Sequence, residues 1–359
     1  MSYFLAFAGF SALIILHEFG HFLAAKAVGM RVERFALFFP PLIFKVRRGE
    51  TEYGIGSIPL GGYVRITGMN PNEELDPEVA SRAYYAQAPW KRIVVIAAGP
   101  VMNVLVAFVI LFSLFAFKGP VVPLDKVEAI TPHSAAAGVL RPGDHLLAVD
   151  GVRGAPARLQ KQIRTHRCSG VPTQGCFATT PANLTVARGA KQLTLTVRPR
   201  YDTTAGRVLV GFAFAQHNER QSVGAAASSS VSGMWRVTKA TVSAIGRLFY
   251  SSKARKDVSG VVGSYETTRQ TISTFGFVRA MEILALISLS LAIVNLFPFL
   301  PLDGGHIFWA VAEKIRRRPI PFSVMERASV VGFLLVICLF AVGLSNDLTR
   351  LSGQGFSVR

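Results

Sequence analysis

Four runs of apolar residues alternate with polar segments along the chain. They predict transmembrane helices at 1–26, 93–118, 280–300 and 328–346. An α-helix rises about 1.5 Å per residue, so about 20 apolar residues cross a hydrocarbon core of about 30 Å. No basic segment precedes the first run and no small-residue cleavage site follows it, so it is interpreted as a retained helix rather than a signal peptide. The pattern predicts a polytopic α-helical membrane protein with four transmembrane helices.

The polar segment at 27–92 carries the signals of β-hairpins. Short apolar stretches within it are interrupted at Arg48–Gly49 and again at Gly61–Gly62, which predicts strands joined by turns. Its apolar content is high for an exposed loop. Two interpretations follow: a membrane-reentrant β-loop, whose backbone must lie against protein or a water-filled cavity, and a small cytoplasmic hairpin.

Residues 119–215 have the pattern of an extracytoplasmic soluble α+β domain. A strand, a helix start, a turn and a second strand are predicted for VEAITPHSAAAGVLRPGDHLLAVDGV, followed by a helix in ARLQKQIRTH and by alternating strands in NLTVAR and QLTLTVRP. This order resembles a PDZ domain of the circularly arranged kind found in bacterial proteases. The resemblance implies a peptide ligand added to a sheet edge, and a purely structural cap is the alternative.

The remaining segments are shorter. Residues 216–279 are Ser-rich and basic, and apolar residues recur at near-helical spacing from Trp235 to Leu248. They predict an amphipathic linker region, which either lies on the membrane surface or packs on the soluble domain. Residues 301–327 are predicted as an LDGG turn and a cytoplasmic loop, and residues 347–359 as a C-terminal tail.

Charge predicts the orientation of these segments. The 359 residues include 39 Lys and Arg against 21 Asp and Glu, a formal charge of +18, while half of the residues are hydrophobic. The basic residues are spread through loops rather than gathered with aromatic residues on one element, so no nucleic-acid partner is expected. Short loops rich in Lys and Arg face the cytoplasm, which places 27–92 and 301–327 inside and the PDZ-like domain and both termini outside. The expected location is the cell inner (plasma) membrane.

Three cysteines are too few for a disulfide framework or a CxxC zinc module. Cys168 and Cys176 flank a loop rich in Gly, Pro and Ser. They form a small disulfide if this loop lies outside the cytoplasm, and two reduced thiols are the alternative. Cys338 lies in the fourth apolar run, where it is expected to pack.

The first apolar run contains the motif HEFGH, from His17 to His21. Two histidines four residues apart share one helix face and can bind one metal ion, and Glu18 lies beside them to handle protons. Ionisable residues at membrane depth are costly and generally functional. The motif therefore predicts a metal site at bilayer depth with Glu18 as its catalytic base.

A third ligand is predicted where the third run ends in NLFPFLPLDGGH. By the charge pattern, Asp303 and the histidine motif fall near the cytoplasmic ends of their helices. A catalytic zinc normally takes three protein ligands and keeps one position open, and His17, His21 and Asp303 supply that set. Gly304 and Gly305 are expected to let the chain turn so that the carboxylate points inward.

Three further polar residues have weaker assignments. Asn295 can donate to a substrate carbonyl or oxyanion. Asn103, inside the second run, is expected first to pack against a neighbouring helix and only second to belong to the site. His306 is expected to be structural or solvent-facing, because a fourth protein ligand would close the open position.

The chain as a whole resembles the site-2 protease family of intramembrane zinc metalloproteases, in its bacterial regulator-of-sigma-E-protease-like branch. The resemblance rests on HEFGH, PLGGYVRITGM, GPVMN, one PDZ-like domain and NLFPFLPLDGGH. It implies Zn²⁺ as cofactor and a membrane-embedded β-loop at Ile55–Gly68 that pairs with an unwound substrate helix. The implied substrate contacts are Asn295, Gly61, Gly62 and Tyr63.

The same resemblance implies the partners. Single-span transmembrane proteins within the lipid bilayer, such as anti-sigma factors or remnant signal peptides, are the implied substrates, and their cleavage is a step of regulated intramembrane proteolysis. Two other functions remain as alternatives: a membrane metal transporter, and a catalytically inactive PDZ membrane scaffold. A transporter should show symmetric repeats of its spans, which the pattern lacks, and the complete set of ligands and base disfavours the scaffold.

Overall fold

The computed structural model of the chain describes residues 2–70, 73–203, 205–248, 250–257, 260–275, 277–318 and 320–352. They fold into two compact units. The first unit consists of Met1–Ala116 and Ser222–Arg359, and the second is Phe117–Gln221. The segment predicted as a soluble domain, 119–215, lies within the second unit.

Helices make up most of the first unit. In chain order the helices of both units are α1 (Ser2–Ala27), α2 (Pro77–Ala80), α3 (Pro89–Phe117), α4 (Pro156–Ile163), α5 (Val223–Leu248), α6 (Ser252–Asp257), α7 (Val261–Phe275), α8 (Phe277–Asn295), α9 (Asp303–Arg316) and α10 (Phe322–Ser352). Among the described residues, α1, α3, α8 and α10 are long and apolar enough to cross a membrane. These four helices match the four expected spans.

Two helix ends differ from the sequence-based expectation. α8 ends at Asn295 rather than at residue 300, because Pro298 and Pro301 lack the N–H that continues a helix. α10 continues to Ser352, so the first residues of the expected tail 347–359 are helical. The rest of that tail, 353–359, lies outside the described residues.

The strands divide between the units. They are β1 (Val32–Arg48), β2 (Thr51–Ile66), β3 (Val121–Ile130), β4 (His145–Val149), β5 (Val152–Arg153), β6 (Ala182–Arg188), β7 (Lys191–Val197), β8 (Arg200–Asp202), β9 (Arg207–Leu209) and β10 (Phe212–Asn218). β1 and β2 belong to the first unit and the others to the second.

β1 and β2 form an antiparallel pair that folds back on itself. Phe35 pairs with both Val64 and Tyr53, so the two long strands make a sheet of four segments. From one edge to the other these segments are 62–66, 32–37, 51–55 and 42–48. The expected turn after Arg48 is present, and the expected break at Gly61–Gly62 lies where β2, after leaving segment 51–55, resumes as segment 62–66. Buried residues from α1, α3 and this sheet share one hydrophobic cluster, which fixes the sheet beside the first helix.

α5 lies in the predicted linker region 216–279. Its residue Met234 is buried in a cluster with Ala107 and Leu111 of α3 and with Ala285 and Leu289 of α8. α5 therefore packs against two of the candidate spans within the first unit. The amphipathic pattern of its sequence reflects this one-sided packing.

The second unit is built on a six-stranded sheet. Its strands lie in the order β10, β3, β4, β6, β7, with β5 paired to β4, and β8 and β9 form a separate hairpin. α4 contributes Leu159 and Ile163 to the core, where they join Leu184 of β6. Cys168 and Cys176 are joined by a disulfide, which decides between the two alternatives for these thiols.

Candidate metal centre

α1 and α3 approach each other closely where the two histidines lie. A Cβ on Gly20 of α1 would lie 2.4 Å from the backbone oxygen of Ala98 in α3, and a Cβ on Gly99 would lie 2.2 Å from Nε2 of His21. Side chains do not tolerate such distances, so only glycine permits this packing. His17 and His21 are both buried at this approach.

His21 is held through its Nδ1 atom. Nδ1 donates to the backbone oxygen of Val95 in α3 over 2.9 Å. A carbonyl oxygen can only accept, so the proton of the neutral imidazole is on Nδ1 and a lone pair is left on Nε2. That Nε2 faces Nε2 of His17 at 3.3 Å. The free nitrogen of His21 thus points toward the other histidine.

Asp303, the first residue of α9, reaches the same point. Its Oδ2 lies 3.2 Å from Nε2 of His17 and 3.5 Å from Nε2 of His21. The residues predicted as one ligand set, which lie on the first and third apolar runs, are therefore brought together.

Gly304 and Gly305 serve this placement in a way that differs from the expected turn. Both are helical residues at the start of α9. A Cβ on Gly304 would lie 2.2 Å from the backbone oxygen of Leu296, and one on Gly305 would lie 2.5 Å from the backbone nitrogen of Leu300. The two glycines let α9 begin directly against the segment that follows α8, which carries Asp303 to the histidines.

The three donor atoms fit a metal ion. The ligand atoms of His17, His21 and Asp303 all lie within 4.8 Å of one another. Oδ2 of Asp303 is buried and has no hydrogen-bond partner among the described residues. A buried carboxylate oxygen that faces an imidazole lone pair is unfavourable unless a cation lies between them. Two imidazoles and one carboxylate are a donor set of catalytic zinc, with the fourth position left open.

The ionisation of Asp303 suits a ligand. Burial raises the pKa of this carboxyl group, but whenever the facing Nε2 atoms of His17 and His21 carry protons they lower it further, so that the pKa falls to about 2. The group is therefore an anion at neutral pH, as metal binding requires. Burial lowers the pKa of His306, which is not a member of the donor group.

The side chain of Glu18, a residue of α1, lies against an edge of the four-segment sheet. A Cβ on Gly62 would lie 2.2 Å from Cγ of Glu18, and the backbone of Val64 is within hydrogen-bonding reach of its carboxylate. Glu18 follows His17 directly in the chain but is not one of the three grouped donors. This position leaves its carboxylate available for proton transfer.

The other sequence-predicted residues fall around this point. Asn295, the last residue of α8, places Nδ2 3.4 Å from Nε2 of His17. Gly61 and Tyr63 flank Gly62 in β2, and the ring of Tyr63 packs on Phe39 with their centroids 5.5 Å apart. Asn295 is thus at the donor group itself, while Gly61 and Tyr63 belong to the adjacent sheet edge.

Asn103, expected first as a packing residue, contacts the donor group. It is fully buried in α3, and its amide group lies 3.1 Å from Nδ1 of His17. Its backbone oxygen accepts a hydrogen bond from Oγ of Ser288 in α8 over 2.9 Å. A residue in the second span therefore links the first and third spans.

Comparison with known proteins agrees with this arrangement. The profile of Peptidase family M50 matches residues 5–339. The chain belongs to Peptidase family M50. "Putative zinc metalloprotease CPE1693" of Clostridium perfringens is 31% identical, with 96% of this chain and 97% of that protein aligned. "Zinc metalloprotease Rip1" of Mycobacterium tuberculosis is 28% identical over 94% of each chain.

Membership of M50 confirms the resemblance drawn from the motifs. A further relative, "Putative zinc metalloprotease all3971" of a Nostoc species, is 29% identical over 99% of this chain and 98% of its own length. The family and the names of these relatives confirm the expected enzyme class, a metalloprotease, and the expected metal, zinc.

Several residues of this M50 centre were not identified from the sequence. Gly20 and Gly99 lie within the HEFGH and GPVMN motifs, but their role comes from a contact between helices that are far apart in the chain, and Val95 acts through its backbone oxygen. Neither effect leaves a pattern in one sequence. The GPVMN segment did single out Asn103, because an amide in an apolar run needs a partner.

Proposed function

We propose that this M50 peptidase hydrolyses a peptide bond within the transmembrane segment of single-span membrane proteins. The proposal is carried by the convergence of His17, His21 and Asp303 beside Glu18. The two histidines lie on a helix long and apolar enough to cross a membrane, and Asp303 follows another such helix by a short segment. Anti-sigma factors and remnant signal peptides, cleaved in regulated intramembrane proteolysis, are the proposed substrate classes.

The residues of the centre have different proposed roles. His17, His21 and Asp303 would hold zinc, which supplies Lewis-acid chemistry and makes water more acidic. Glu18 takes a proton from the attacking water and passes it to the nitrogen of the leaving amine. Because Glu18 lies against β2 and outside the donor group, it can exchange protons without giving up a ligand. Asn295 donates its amide N–H to the substrate carbonyl oxygen.

The sheet edge beside Glu18 is the proposed place of substrate binding. A helical substrate keeps its backbone hydrogen bonds internal, so a bond in its middle is accessible only after local unwinding. An edge strand offers N–H and C=O groups to an extended backbone. Segment 62–66 is such an edge and lies next to Glu18. Gly61, Gly62 and Tyr63 are therefore assigned to substrate binding.

Cleavage of a membrane substrate tests the proposal. The purified full chain is reconstituted in lipid vesicles with a tagged single-span protein, and wild type, Glu18→Gln and the exposed control Glu78→Gln are compared with and without a zinc chelator. Loss of the base should lower the cleavage rate on the order of 10²–10⁴-fold. The control variant should cleave like wild type, and the chelator should stop cleavage.

Two outcomes would overturn the proposal. Cleavage that persists at the wild-type rate in Glu18→Gln rules out this residue as the base. Zinc flux across the vesicle membrane without any cleavage would favour the transporter.

The proposed orientation places 27–92, 301–327 and the metal centre toward the cytoplasm, with the second unit and both termini outside. Lys and Arg in the short loops support this orientation, and so does the Cys168–Cys176 disulfide, because disulfides persist in oxidising compartments. In a Cys338→Ser background, Val171→Cys should react with an impermeant maleimide on intact cells, and Arg317→Cys only after permeabilisation. The reverse pattern would invert the topology.

For the second unit we propose a PDZ-like role in binding peptides. A groove beside α4 is lined by Gln160, Ile163 and Arg164 of the helix region and by Arg207 to Phe212 of the facing strands. Its two arginines suit a peptide with a free carboxylate. Fluorescence anisotropy with the full chain should show tighter binding of a peptide acid than of its amide, and the difference should vanish in Arg164→Gln/Arg207→Gln. Equal binding of acid and amide would contradict this role.

A further inference from the structure

We propose that Asn103 is a positioning residue of the metal centre: its amide oxygen accepts the Nδ1 proton of His17 and so directs the Nε2 lone pair of His17 to the metal. The inference rests on the proposed zinc centre, and it concerns a residue that contacts a ligand rather than the metal. It predicts that an oxygen acceptor in the side chain at position 103, and not only the volume of that side chain, sets the affinity for zinc.

The geometry around Asn103 limits what its side chain can do. The residue has 0% exposure, and its terminal amide has His17 Nδ1 as a neighbour at 3.1 Å. The amide nitrogen of Asn103 faces the imidazole, and its amide oxygen has no hydrogen-bond partner among the described residues. The two ends have nearly the same shape and exchange by a half-turn of the amide group.

The two amide orientations have opposite consequences for His17. If the amide nitrogen donates to Nδ1, the imidazole proton must be on Nε2, the atom that lies 3.2 Å from Oδ2 of Asp303. A protonated Nε2 cannot bind a metal ion. If the amide oxygen faces Nδ1 instead, the proton is on Nδ1 and the Nε2 lone pair is free. Each orientation leaves one end of the amide without a partner, so the number of hydrogen bonds favours neither. Binding of a metal ion to Nε2 of His17 therefore selects the second orientation.

His21 shows the same arrangement in a form that cannot be reversed. Its Nδ1 donates to the backbone oxygen of Val95, which is also in α3. Val95 and Asn103 are eight residues apart on α3, a little more than two helical turns, and each of them contacts a histidine of α1. The two histidines are one turn apart on α1. α3 thus supplies one acceptor to the Nδ1 atom of each histidine, an arrangement that orients metal-binding imidazoles in many proteins.

A structural role alone would predict different behaviour. If Asn103 only packs between helices, the size of the side chain should decide the outcome, and Leu should replace it better than Ala. If it positions His17, an oxygen acceptor should decide, and Asp should replace it better than Leu. The hydrogen bond from Ser288 to the backbone oxygen of Asn103 offers a control, because it couples α3 to α8 without the amide group.

Zinc affinity of the detergent-solubilised full chain tests the proposal, measured by competition with a chromophoric chelator. Asn103→Leu and Asn103→Ala should each raise the Kd for zinc about 10–100-fold, the usual effect of removing an outer partner of a metal-binding histidine. Asn103→Asp should stay within about threefold of wild type. Ser288→Ala should leave the Kd unchanged.

Three results would overturn the proposal: a wild-type Kd in Asn103→Leu and Asn103→Ala, an equal loss in Asn103→Asp, or an equal loss in Ser288→Ala. Circular dichroism of each variant identifies unfolded protein, and having three substitutions at position 103 keeps at least one folded comparison. The measurement involves no substrate. A chain that binds zinc as predicted but cleaves no membrane protein would therefore contradict the proposed function and leave this inference intact.

Discussion

Gly62 of β2 lies directly against the side chain of Glu18, so closely that a Cβ at Gly62 would fall 2.2 Å from Cγ of the glutamate. The sheet edge therefore fixes where the proposed base can be. In Gly62→Ala, Glu18 or the edge must move. Because a misplacement of about 1 Å can cost roughly 100-fold in rate, kcat for substrate cleavage should fall by about that factor. Glu18 is not a metal donor, so the Kd for zinc should stay at the wild-type value.

Gly233→Ala is the matched control for Gly62→Ala. Gly233 lies in α5 with nothing within 4 Å of an added Cβ, so its substitution should leave kcat unchanged. Wild-type kcat in Gly62→Ala would show that the edge does not hold Glu18.

Gly99 provides a separate test at the metal donors. A Cβ at Gly99 would lie 2.2 Å from Nε2 of His21, the atom proposed to bind the metal. Gly99→Ala should therefore displace the imidazole and weaken zinc binding, by roughly the 10–100-fold that follows loss of ligand orientation. Gly224→Ala, which meets open space, should bind zinc like wild type. An unchanged Kd in Gly99→Ala would show that α3 can move away without cost.

Stability should depend on pH through Glu50. Arg82 and Lys26 hydrogen-bond its carboxylate, with the shortest contacts at 2.7 and 2.6 Å, and hold its pKa at about 2, below the ordinary value of 4.5. A lowered pKa contributes stability above the unfolded value, and this contribution is lost as the pH falls from 4.5 toward 2. The Tm advantage of wild type over Glu50→Gln should be constant above about pH 6 and shrink toward pH 3.

Glu78→Gln, the same exchange at an exposed position, serves as the control for this pH series. A Tm difference between wild type and Glu50→Gln that does not change with pH would contradict the ion-pair assignment.

The disulfide predicts a simple mass pattern. In the denatured but unreduced chain, a thiol alkylating reagent should add one group, at Cys338, because Cys168 and Cys176 are bonded to each other. After reduction all three cysteines of the sequence should react. Three adducts before reduction, measured by intact mass, would show that the two thiols are free.

The parts of the structure that depend on local pattern were predictable. The apolar runs predicted the four helices that, among the described residues, are long and apolar enough to cross a membrane, since about 20 apolar residues have few alternatives to a spanning helix. The histidine spacing predicted a shared metal, and Asp303 completed it because a zinc site needs a third donor.

The parts that depend on distant contacts were not predictable. Pro40–Pro41 and Gly61–Gly62 indicate where the two long strands bend, but they do not indicate that the bent strands pair so that Phe35 has a partner on each side. The glycines of LDGG looked like a turn, yet they are helical residues that admit the backbone of Leu296 and Leu300. In both cases a neighbour far away in sequence or across a bend determined the outcome.

The second unit separates the two parts of the first unit along the chain, Met1–Ala116 and Ser222–Arg359, so the ribosome synthesises these two parts at different times. The two histidines are synthesised long before Asp303, which lies 303 − 21 = 282 positions after His21. At about 5–20 residues per second, roughly 15–60 seconds of translation separate the two halves of the donor set. The ribosome has finished the second unit and the third candidate span before Asp303 is synthesised, so the growing chain cannot hold the complete donor set while the first three candidate spans are being made.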